Sequence, residues 1–278
     1  MREPCGRLRR AHRGHCRHQR QDGADVQRVA VVTGASGGIG AEIARRLARG
    51  GWRCVLVARR RERLESLAAE LGGEAEVCDV SDREAVERTA AAVLERHPAV
   101  KLLVNNAGVA GRAGFTELEP EQIERVLSVN YLGGVWCLRA FLPGLERARP
   151  AHVVNIVSVA GVVAFPPSGP YSASKHAQLA FSRASAAQLR PRGIRVLTVN
   201  PGFVETEGFP QRSVLQSALL RRAVIGPERV AEHVLEALAA GRTETFVPGW
   251  YRAAAIAQAL VPALVGRMGA RRGYRQTR

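Results

Sequence analysis

Apolar and polar positions alternate along the chain in blocks that predict strands and helices in turn. Short apolar runs rich in β-branched residues predict strands at 29–32, 54–57, 75–78, 102–104, 153–157, 194–199 and 243–247. Longer amphipathic stretches predict helices at 39–49, 61–71, 82–96, 121–145 (interrupted near Gly133), 171–189 and 227–240. Nearly continuous apolar strands separated by helices are typical of a parallel sheet covered on both faces. We therefore expect an α/β fold, a doubly wound parallel sheet of about seven strands (a Rossmann fold) with helices on both faces.

This alternation occupies only the central part of the chain. Residues 1–27 lack apolar periodicity, and we expect a disordered extension rich in Arg and His. Residues 28–250 are predicted to form one domain, because no linker interrupts the alternation. Residues 251–278 are predicted to form an apolar helix and a basic C-terminal tail. Packing of that helix over a pocket or at a subunit interface is favoured over peripheral contact with a membrane.

Charge is concentrated at the two ends of the 278-residue chain. The net charge is +16, but residues 1–28 and 266–278 carry +5 each, which leaves +6 for the residues between. Only Lys101 and Lys175 among the 41 basic residues are lysines. Because the excess of arginine lies mainly in the tails, we expect no nucleic-acid partner for the central domain.

Cysteine and histidine usage points to a reduced, metal-free protein. The five cysteines form no Cys-x-x-Cys pair and the N-terminus has no apolar signal segment, so a cytoplasmic location is expected. No apolar run is long enough to span a bilayer. A cluster near the N-terminus contains metal-ligand types but lacks the paired spacing of zinc sites, and we predict no metal there: Cys5, His12, His15, Cys16 and His18.

A glycine-rich turn joins the first predicted strand to the first helix. It reads Thr33-Gly-Ala-Ser-Gly-Gly-Ile-Gly40. Glycines allow the backbone to approach a phosphate closely, and a helix N-terminus supplies N–H groups that lack helical partners. The position between a strand and a helix favours a phosphate-binding turn over a plain tight turn.

The end of the second strand indicates which nicotinamide cofactor is preferred. NAD-binding chains place an Asp or Glu there for the ribose 2′-hydroxyl, whereas this chain has Ala58, Arg59, Arg60 and Arg61. A guanidinium pairs well with a phosphate. We therefore predict NADP(H), with Arg59 as the 2′-phosphate ligand, and regard NAD(H) as less favoured. The alternative is that these arginines only form a solvated helix start.

A tyrosine and a lysine four residues apart open the helix predicted at 171–189. The spacing of Tyr171 and Lys175 places both side chains on one face. A free phenol has a pKa of about 10, and a nearby ammonium lowers that value. The pair is therefore a candidate acid–base device. Ser158 directly follows the fifth strand, at the sheet edge where ligands bind in such folds.

Taken in order, these features resemble the short-chain dehydrogenase/reductase family, in its single-domain Tyr-x-x-x-Lys form. The resemblance covers about residues 28–250 and rests on Thr33–Gly40, Asp79, Asn105–Gly108, Asn130, Ser158, Tyr171, Lys175 and Pro201-Gly202. It implies that residues 28–250 are a dinucleotide-binding catalytic domain. The implied reaction is reversible hydride transfer between nicotinamide C4 and the carbonyl carbon of a small molecule.

The same resemblance implies roles for individual residues. Tyr171 would exchange a proton with the substrate oxygen, and Lys175 would lower the pKa of Tyr171 and hold the nicotinamide ribose. Ser158 would hydrogen-bond the substrate oxygen, and Asn130 would anchor a relay water. The implied cofactor contacts are Gly34, Ser36, Gly38, Ile39, Gly40, Arg59, Asp79, Val80, Asn106, Ala107, Gly108, Tyr171, Lys175, Pro201, Gly202, Val204 and Thr206.

Two departures from the family pattern affect the expected substrate and cofactor. The glycine-rich turn holds no Arg or Lys, so the preference for NADP rests on Arg59 and its neighbours. The chain continues past the last strand through Trp250, unlike the reductases of fatty-acid synthesis. We expect a hydrophobic ketone, aldehyde or alcohol, a lid loop at 207–215, and a homodimer or homotetramer. The alternatives are a 3-ketoacyl-thioester reductase and a non-catalytic nucleotide-binding scaffold.

Overall fold

The computed structural model describes residues 28–111, 113–165, 168–207, 224–264 and 267. Three of the segments singled out from the sequence lie wholly or mostly outside these ranges. The N-terminal extension with its metal-ligand types, residues 208–215 of the expected lid loop, and the arginines after residue 267 lie outside the described residues.

Seven parallel strands form the main sheet, as the sequence predicts. In chain order the strands of this sheet and of a second, two-stranded sheet are β1 (Val29–Thr33), β2 (Arg53–Ala58), β3 (Glu74–Val77), β4 (Leu102–Asn105), β5 (Ala151–Ile156), β6 (Ile194–Pro201), β7 (Phe203–Val204), β8 (Val224–Ile225) and β9 (Glu244–Val247). The main sheet has the order β3-β2-β1-β4-β5-β6-β9, and β7 pairs with β8 beside it. The doubly wound fold is thereby confirmed, and the short β7–β8 pair is an addition that the sequence pattern did not reveal.

Helices connect the strands on both faces of the sheet. They are α1 (Gly38–Arg49), α2 (Arg61–Leu71), α3 (Arg83–Arg96), α4 (Pro120–Leu127), α5 (Gly133–Arg147), α6 (Gly169–Leu189), α7 (Pro227–Ala239) and α8 (Tyr251–Leu260). Local sequence explains several of their ends. The Asp82 side chain accepts a hydrogen bond from the Ala85 N–H at the start of α3, and Gly72 ends α2 in the left-handed conformation.

The helix predicted at 121–145 is a composite of three segments. A π-helical turn, Ser128–Leu132, joins α4 to α5. The backbone therefore continues past Gly133, where the sequence indicated an interruption, and the irregularity lies one turn earlier. Such π-turns occur frequently at functional sites.

The core consists of two apolar layers, because successive strand residues point to opposite faces of the sheet. On one face, Val32 of β1 packs with Ile43 of α1 and Val234 of α7. On the other face, Val31 packs in a layer that includes Phe141 of α5. The two layers cover both faces of the sheet and so fix the positions of its strand ends.

Candidate active site

The carboxyl ends of the strands surround a cavity of about 560 Å³. It lies where the strand order reverses between β1 and β4, the point at which ligands bind in folds of this type. Ser158 and all but two of the implied site residues line it. The two exceptions, Gly40 and Asn130, lie directly behind lining residues. The structure thus brings together the set of residues singled out from the sequence.

Hydrogen bonds between β1 and the loop after β4 support the glycine-rich turn. The Thr33 hydroxyl accepts hydrogen bonds from the backbone N–H groups of Asn106 (3.0 Å) and Ala107 (3.1 Å). The Asn106 side chain donates to the carbonyl oxygens of Thr33 (3.0 Å) and Gly34 (3.3 Å). Asn106 therefore positions the turn, in addition to lining the cavity.

Two glycines of the turn are required by close approach. Gly34 has a φ of 66°, and a Cβ there would lie 2.8 Å from the Ala107 Cα atom. A Cβ on Gly40 would lie 2.4 Å from the Asn106 Nδ2 atom and 2.6 Å from the Gly34 carbonyl oxygen. This tight packing leaves a narrow turn at the N-terminus of α1, which fits the pyrophosphate of a dinucleotide.

Two arginines reach the same end of the cavity from the end of β2. The Arg59 guanidinium lies 3.4 Å from the Asp79 Oδ2 atom. The Arg60 guanidinium crosses the glycine-rich turn and donates to the side-chain and backbone oxygens of Ser36, each at 3.1 Å. It also lies 3.3 Å from a carboxylate oxygen of Glu207, on the segment after β7. The sequence identified Arg59, and the structure adds Arg60 as a second cation that faces the turn.

At the other end of the cavity, Tyr171 and Lys175 come together with Ser158. The Tyr171 side chain is hydrogen-bonded to that of Ser158, and the Lys175 ammonium lies 5.9 Å from the centre of the Tyr171 ring. Desolvation raises the pKa of Tyr171 to about 12, and the hydrogen bond with Ser158 partly offsets this shift. Burial lowers the pKa of Lys175 to about 7. The lowering of the Tyr171 pKa that was expected from Lys175 is not among the causes of the shift in this structure.

Asn130 lies in the π-turn and is 1% exposed. Its side chain accepts a hydrogen bond from the Val109 N–H (2.7 Å) and donates to the Val109 carbonyl (3.0 Å). It also donates to the Ser174 hydroxyl (3.0 Å). These contacts fix the loop after β4 against α6, so the side chain acts as a positioning group. The water that the resemblance implies stays a prediction.

The wall next to Tyr171 is apolar and partly aromatic. Val159, Val163 and Tyr251 form a small buried cluster, against which Phe165 and Phe203 pack. The ring centres of Phe165 and Phe203 are 6.4 Å apart. This surface offers a non-polar environment for the part of a substrate that extends beyond its reacting oxygen.

The C-terminal helix α8 closes one side of this wall through its first turn only. A Cβ on Gly202 would lie 2.0 Å from the Tyr251 ring, so the ring packs directly on the backbone at the end of β6. Farther along, Ile256 and Leu260 are 53% and 76% exposed. The first turn of the helix therefore packs on the end of β6, while its far end is exposed in the single chain, and its packing over the pocket or at a subunit interface stays a prediction.

No helix within the described residues is long and apolar enough to cross a membrane. In the same part of the chain, no group of three or more His, Cys, Asp or Glu side chains is placed to hold a metal ion.

The structure gives roles to three residues that were not among the predicted site residues. Thr33 supports the glycine-rich turn, Arg60 binds across it, and Gln178 accepts a hydrogen bond from the Lys175 ammonium at 2.8 Å. Thr33 and Gln178 share a signal that could have revealed them. Each is a polar residue at a position that the surrounding apolar pattern places in the core.

Comparison with known proteins places this geometry in a family. The family model described as short chain dehydrogenase matches residues 28–214. The dehydrogenase/reductase SDR family member 7B of Xenopus laevis is 34% identical over 241 residues, covering 80% of this chain and 74% of that protein. A putative ketoacyl reductase of Streptomyces coelicolor is 41% identical over 185 residues, covering 64% of this chain and 71% of that protein.

Solved structures share the fold, and two of them contain nicotinamide dinucleotides. An alcohol dehydrogenase from the archaeon Thermococcus sibiricus, complexed with 5-hydroxy-NADP, superposes with a TM-score of 0.70 at 33% identity, covering 79% of this chain and 95% of that chain. A short-chain dehydrogenase/reductase from Burkholderia phymatum in complex with NAD gives 0.76 at 29% identity, covering 86% and 95%. From the match to the family model and to these relatives, we conclude that the chain belongs to the short-chain dehydrogenase family of oxidoreductases.

Proposed function

We propose that this protein is an NADP(H)-dependent oxidoreductase that transfers a hydride between nicotinamide and the carbonyl or alcohol carbon of a hydrophobic small molecule. One observation carries the proposal. A single cavity joins the Tyr171, Ser158 and Lys175 side chains at one end to the Arg59 and Arg60 guanidiniums at the other. A dinucleotide bound along it would span the distance between an acid–base group and a phosphate-binding group.

The preference for NADP(H) rests on the charges at the end of β2. A 2′-phosphate needs cationic donors, and Arg59 and Arg60 line the cavity there. The carboxylate that would bind an NAD ribose is absent from Ala58, Arg59 and Arg60 at this strand end. NAD(H) is the less favoured cofactor, because a free ribose hydroxyl would leave both guanidiniums without a new anionic partner.

The side chains of this protein supply the proton chemistry and the orientation. A bound nicotinamide cofactor supplies or accepts the hydride. In the direction of reduction, the Tyr171 hydroxyl gives its proton to the substrate oxygen, while Ser158 hydrogen-bonds the same oxygen and fixes its position. In the direction of oxidation, the Tyr171 oxygen takes the proton from the alcohol. Lys175 holds the cofactor ribose and offsets negative charge on the phenol oxygen.

The apolar cluster beside Tyr171 supports a hydrophobic substrate. Phe165, Phe203 and Val159 line the cavity beyond the reacting oxygen. Burial of apolar substrate surface there contributes roughly 25 cal/mol per Å². Ketones, aldehydes and secondary alcohols with aliphatic or aromatic substituents are the class that this wall would accept.

A 3-ketoacyl thioester is the second candidate substrate. It is supported by the similarity to the putative ketoacyl reductase of Streptomyces coelicolor. The two candidates share the reacting carbonyl and differ in the thioester carrier. Acetoacetyl-coenzyme A is therefore the probe that separates them from each other.

The test is a panel of ketones, aldehydes, alcohols and acetoacetyl-coenzyme A, assayed by nicotinamide absorbance with NADPH, NADP⁺, NADH and NAD⁺. We expect turnover of apolar carbonyls with NADPH, and loss of about 10²–10⁴-fold in kcat for Tyr171→Phe with NADPH binding retained. Tyr131→Phe removes a phenol oxygen from a residue that does not line the cavity and is the matched control. Cofactor binding without turnover of any probe would favour the scaffold alternative.

The quaternary structure and compartment are also proposals. The faces of α5 and α6 are the surfaces we expect to bury in a homodimer or homotetramer. A reducing, cytoplasmic setting is supported by Cys54, Cys78 and Cys137, which are buried as free thiols within the apolar core. Sedimentation velocity of the purified chain tests the first proposal.

A further inference from the structure

The Lys175 side chain is enclosed by the protein, with 4% exposure. Its ammonium donates two hydrogen bonds to groups of this chain. One goes to the carbonyl oxygen of Ile156 on β5 at 3.2 Å, and the other goes to the side-chain oxygen of Gln178 at 2.8 Å. An ammonium carries three N–H groups. Two are therefore directed by the fold, and one is left to meet a cofactor ribose or the phenol.

Gln178 is itself buried at 3% exposure and lies one helical turn after Lys175 on α6. The i,i+3 spacing places both side chains on the same face of the helix. A buried amide oxygen that accepts from an ammonium stabilises the charged form of the amine. A Leu at this position would have a similar volume and would offer no acceptor.

Within the described part of the chain, Gln178 is the one side chain that accepts a hydrogen bond from the Lys175 ammonium, and the Ile156 carbonyl is the backbone acceptor. From the packed elements the amine faces the Ile156 carbonyl on β5 and Gly108 after β4, both of which are uncharged. On its own helix, Tyr171 is its titratable neighbour. Burial is the cause that lowers the pKa of Lys175 to about 7. Because burial disfavours the charged form, each acceptor that the ammonium meets contributes to keeping the amine protonated.

We propose that Gln178 is a positioning residue for the reaction, which orients the Lys175 amine and keeps it in the ammonium form. Only the ammonium can offset negative charge on the Tyr171 oxygen, so the amide of Gln178 acts on the acid–base step through Lys175. The role of Gln178 in the reaction rests on the proposed function, whereas its effect on the protonation of Lys175 does not. It can therefore be measured without a substrate.

The composition of the chain makes that measurement unusually direct. Lys101 and Lys175 are the two lysines in the sequence. Protein labelled with ¹³C at the lysine ε carbon gives two signals whose shifts follow the titration of each amine, and Lys101→Arg assigns them. Lys101, which donates to the Ala148 carbonyl at 3.0 Å, serves as an internal reference.

We expect the Lys175 midpoint to fall by about one pH unit in Gln178→Leu, a tenfold change in its protonation equilibrium. Gln178→Glu adds a carboxylate at the same place and should raise the midpoint. The Lys101 midpoint should stay unchanged in both variants. Ser182→Ala is the matched control, because it removes a buried hydrogen-bonding group from the same helix that pairs with Asn155 and Thr198 instead.

An unchanged Lys175 midpoint in Gln178→Leu would overturn the inference. If that variant does not fold, as judged by circular dichroism, Gln178→Met is measured in its place, because it keeps an unbranched side chain of similar length without the amide acceptor, and an unchanged Lys175 midpoint there would likewise overturn the inference. Turnover separates this result from the proposed function. If Tyr171→Phe keeps full activity, the proposed function fails. If Tyr171→Phe is inactive while Gln178→Leu titrates as the wild type does, only the role of Gln178 fails.

Discussion

Replacement of Arg60 by alanine should weaken the binding of NADPH and leave that of NADH nearly unchanged. The guanidinium is already anchored on Ser36 by two contacts of 3.1 Å, so little orientation has to be lost when a phosphate binds. A charge-assisted hydrogen bond contributes about 1.5–3 kcal/mol. The Arg60 side chain is 48% exposed, and solvent screening reduces this contribution to about 1–2 kcal/mol.

That free energy corresponds to an increase in the NADPH Kd of about 5- to 30-fold. The Kd for NADH should change by less than about twofold, because NADH carries no 2′-phosphate. Arg59→Ala should show a loss of similar size, since its side chain is 50% exposed and its guanidinium also lines the cavity. Titration of nicotinamide fluorescence gives both constants for each variant.

Arg61→Ala provides the matched control for these two variants. Arg61 belongs to the same run of arginines, but it pairs with Glu65 on α2 and does not line the cavity. Its loss should affect neither cofactor beyond a small effect of net charge. Equal weakening of NADPH and NADH binding by Arg60→Ala would refute a 2′-phosphate contact at Arg60, and so would an equal effect of Arg61→Ala and Arg60→Ala.

Three other outcomes are expected. Glu207→Gln removes the carboxylate that occupies Arg60 and should tighten NADPH binding by about two- to fivefold at low salt, and unchanged or weaker binding would show that this carboxylate does not compete. Burial lowers the pKa of Lys175 from 10.5 to about 7, so the unfolded chain binds an extra proton in this interval and folding stability rises with pH across it. Lys175→Met should therefore be more stable than the wild type in urea unfolding at pH 7 and should lose that advantage towards pH 10. A difference in stability that stays constant with pH would contradict the shift. Gly40→Ala places a Cβ 2.4 Å from Asn106 and should cost about 1–3 kcal/mol in thermal unfolding, whereas Gly169→Ala enters open space and should cost far less.

The sequence predicted those parts of the site that depend on one element at a time. The four-residue spacing of Tyr171 and Lys175 is sufficient to place both on one helical face. The glycine-rich turn follows from its position between β1 and α1. The parallel, doubly wound arrangement of the strands follows from the alternation of apolar runs with helices. These features depend on local periodicity and on connection rules, which are legible in a single chain.

The parts that the sequence did not reveal depend on contacts between distant segments. Arg60 meets Ser36 across 24 residues, and Glu207 reaches Arg60 across 147. The spacing of residues along a chain does not determine such pairs. The contact between Gln178 and Lys175 is local, but its importance arises from burial by β5, which the helix sequence alone does not show.

The π-turn between α4 and α5 lets the side chains before and after it face in different directions. Its residue Asn130 must face Val109, while Phe141 and Cys137 of α5 must face the core. Each residue turns a regular helix by about 100°. A chain shortened by one residue at this point could wind without irregularity, but either the asparagine would rotate away from its loop or the apolar side chains would rotate out of their layer. The π-helical turn accommodates one additional residue. Asn130 can therefore face its loop while the apolar side chains of α5 face the core.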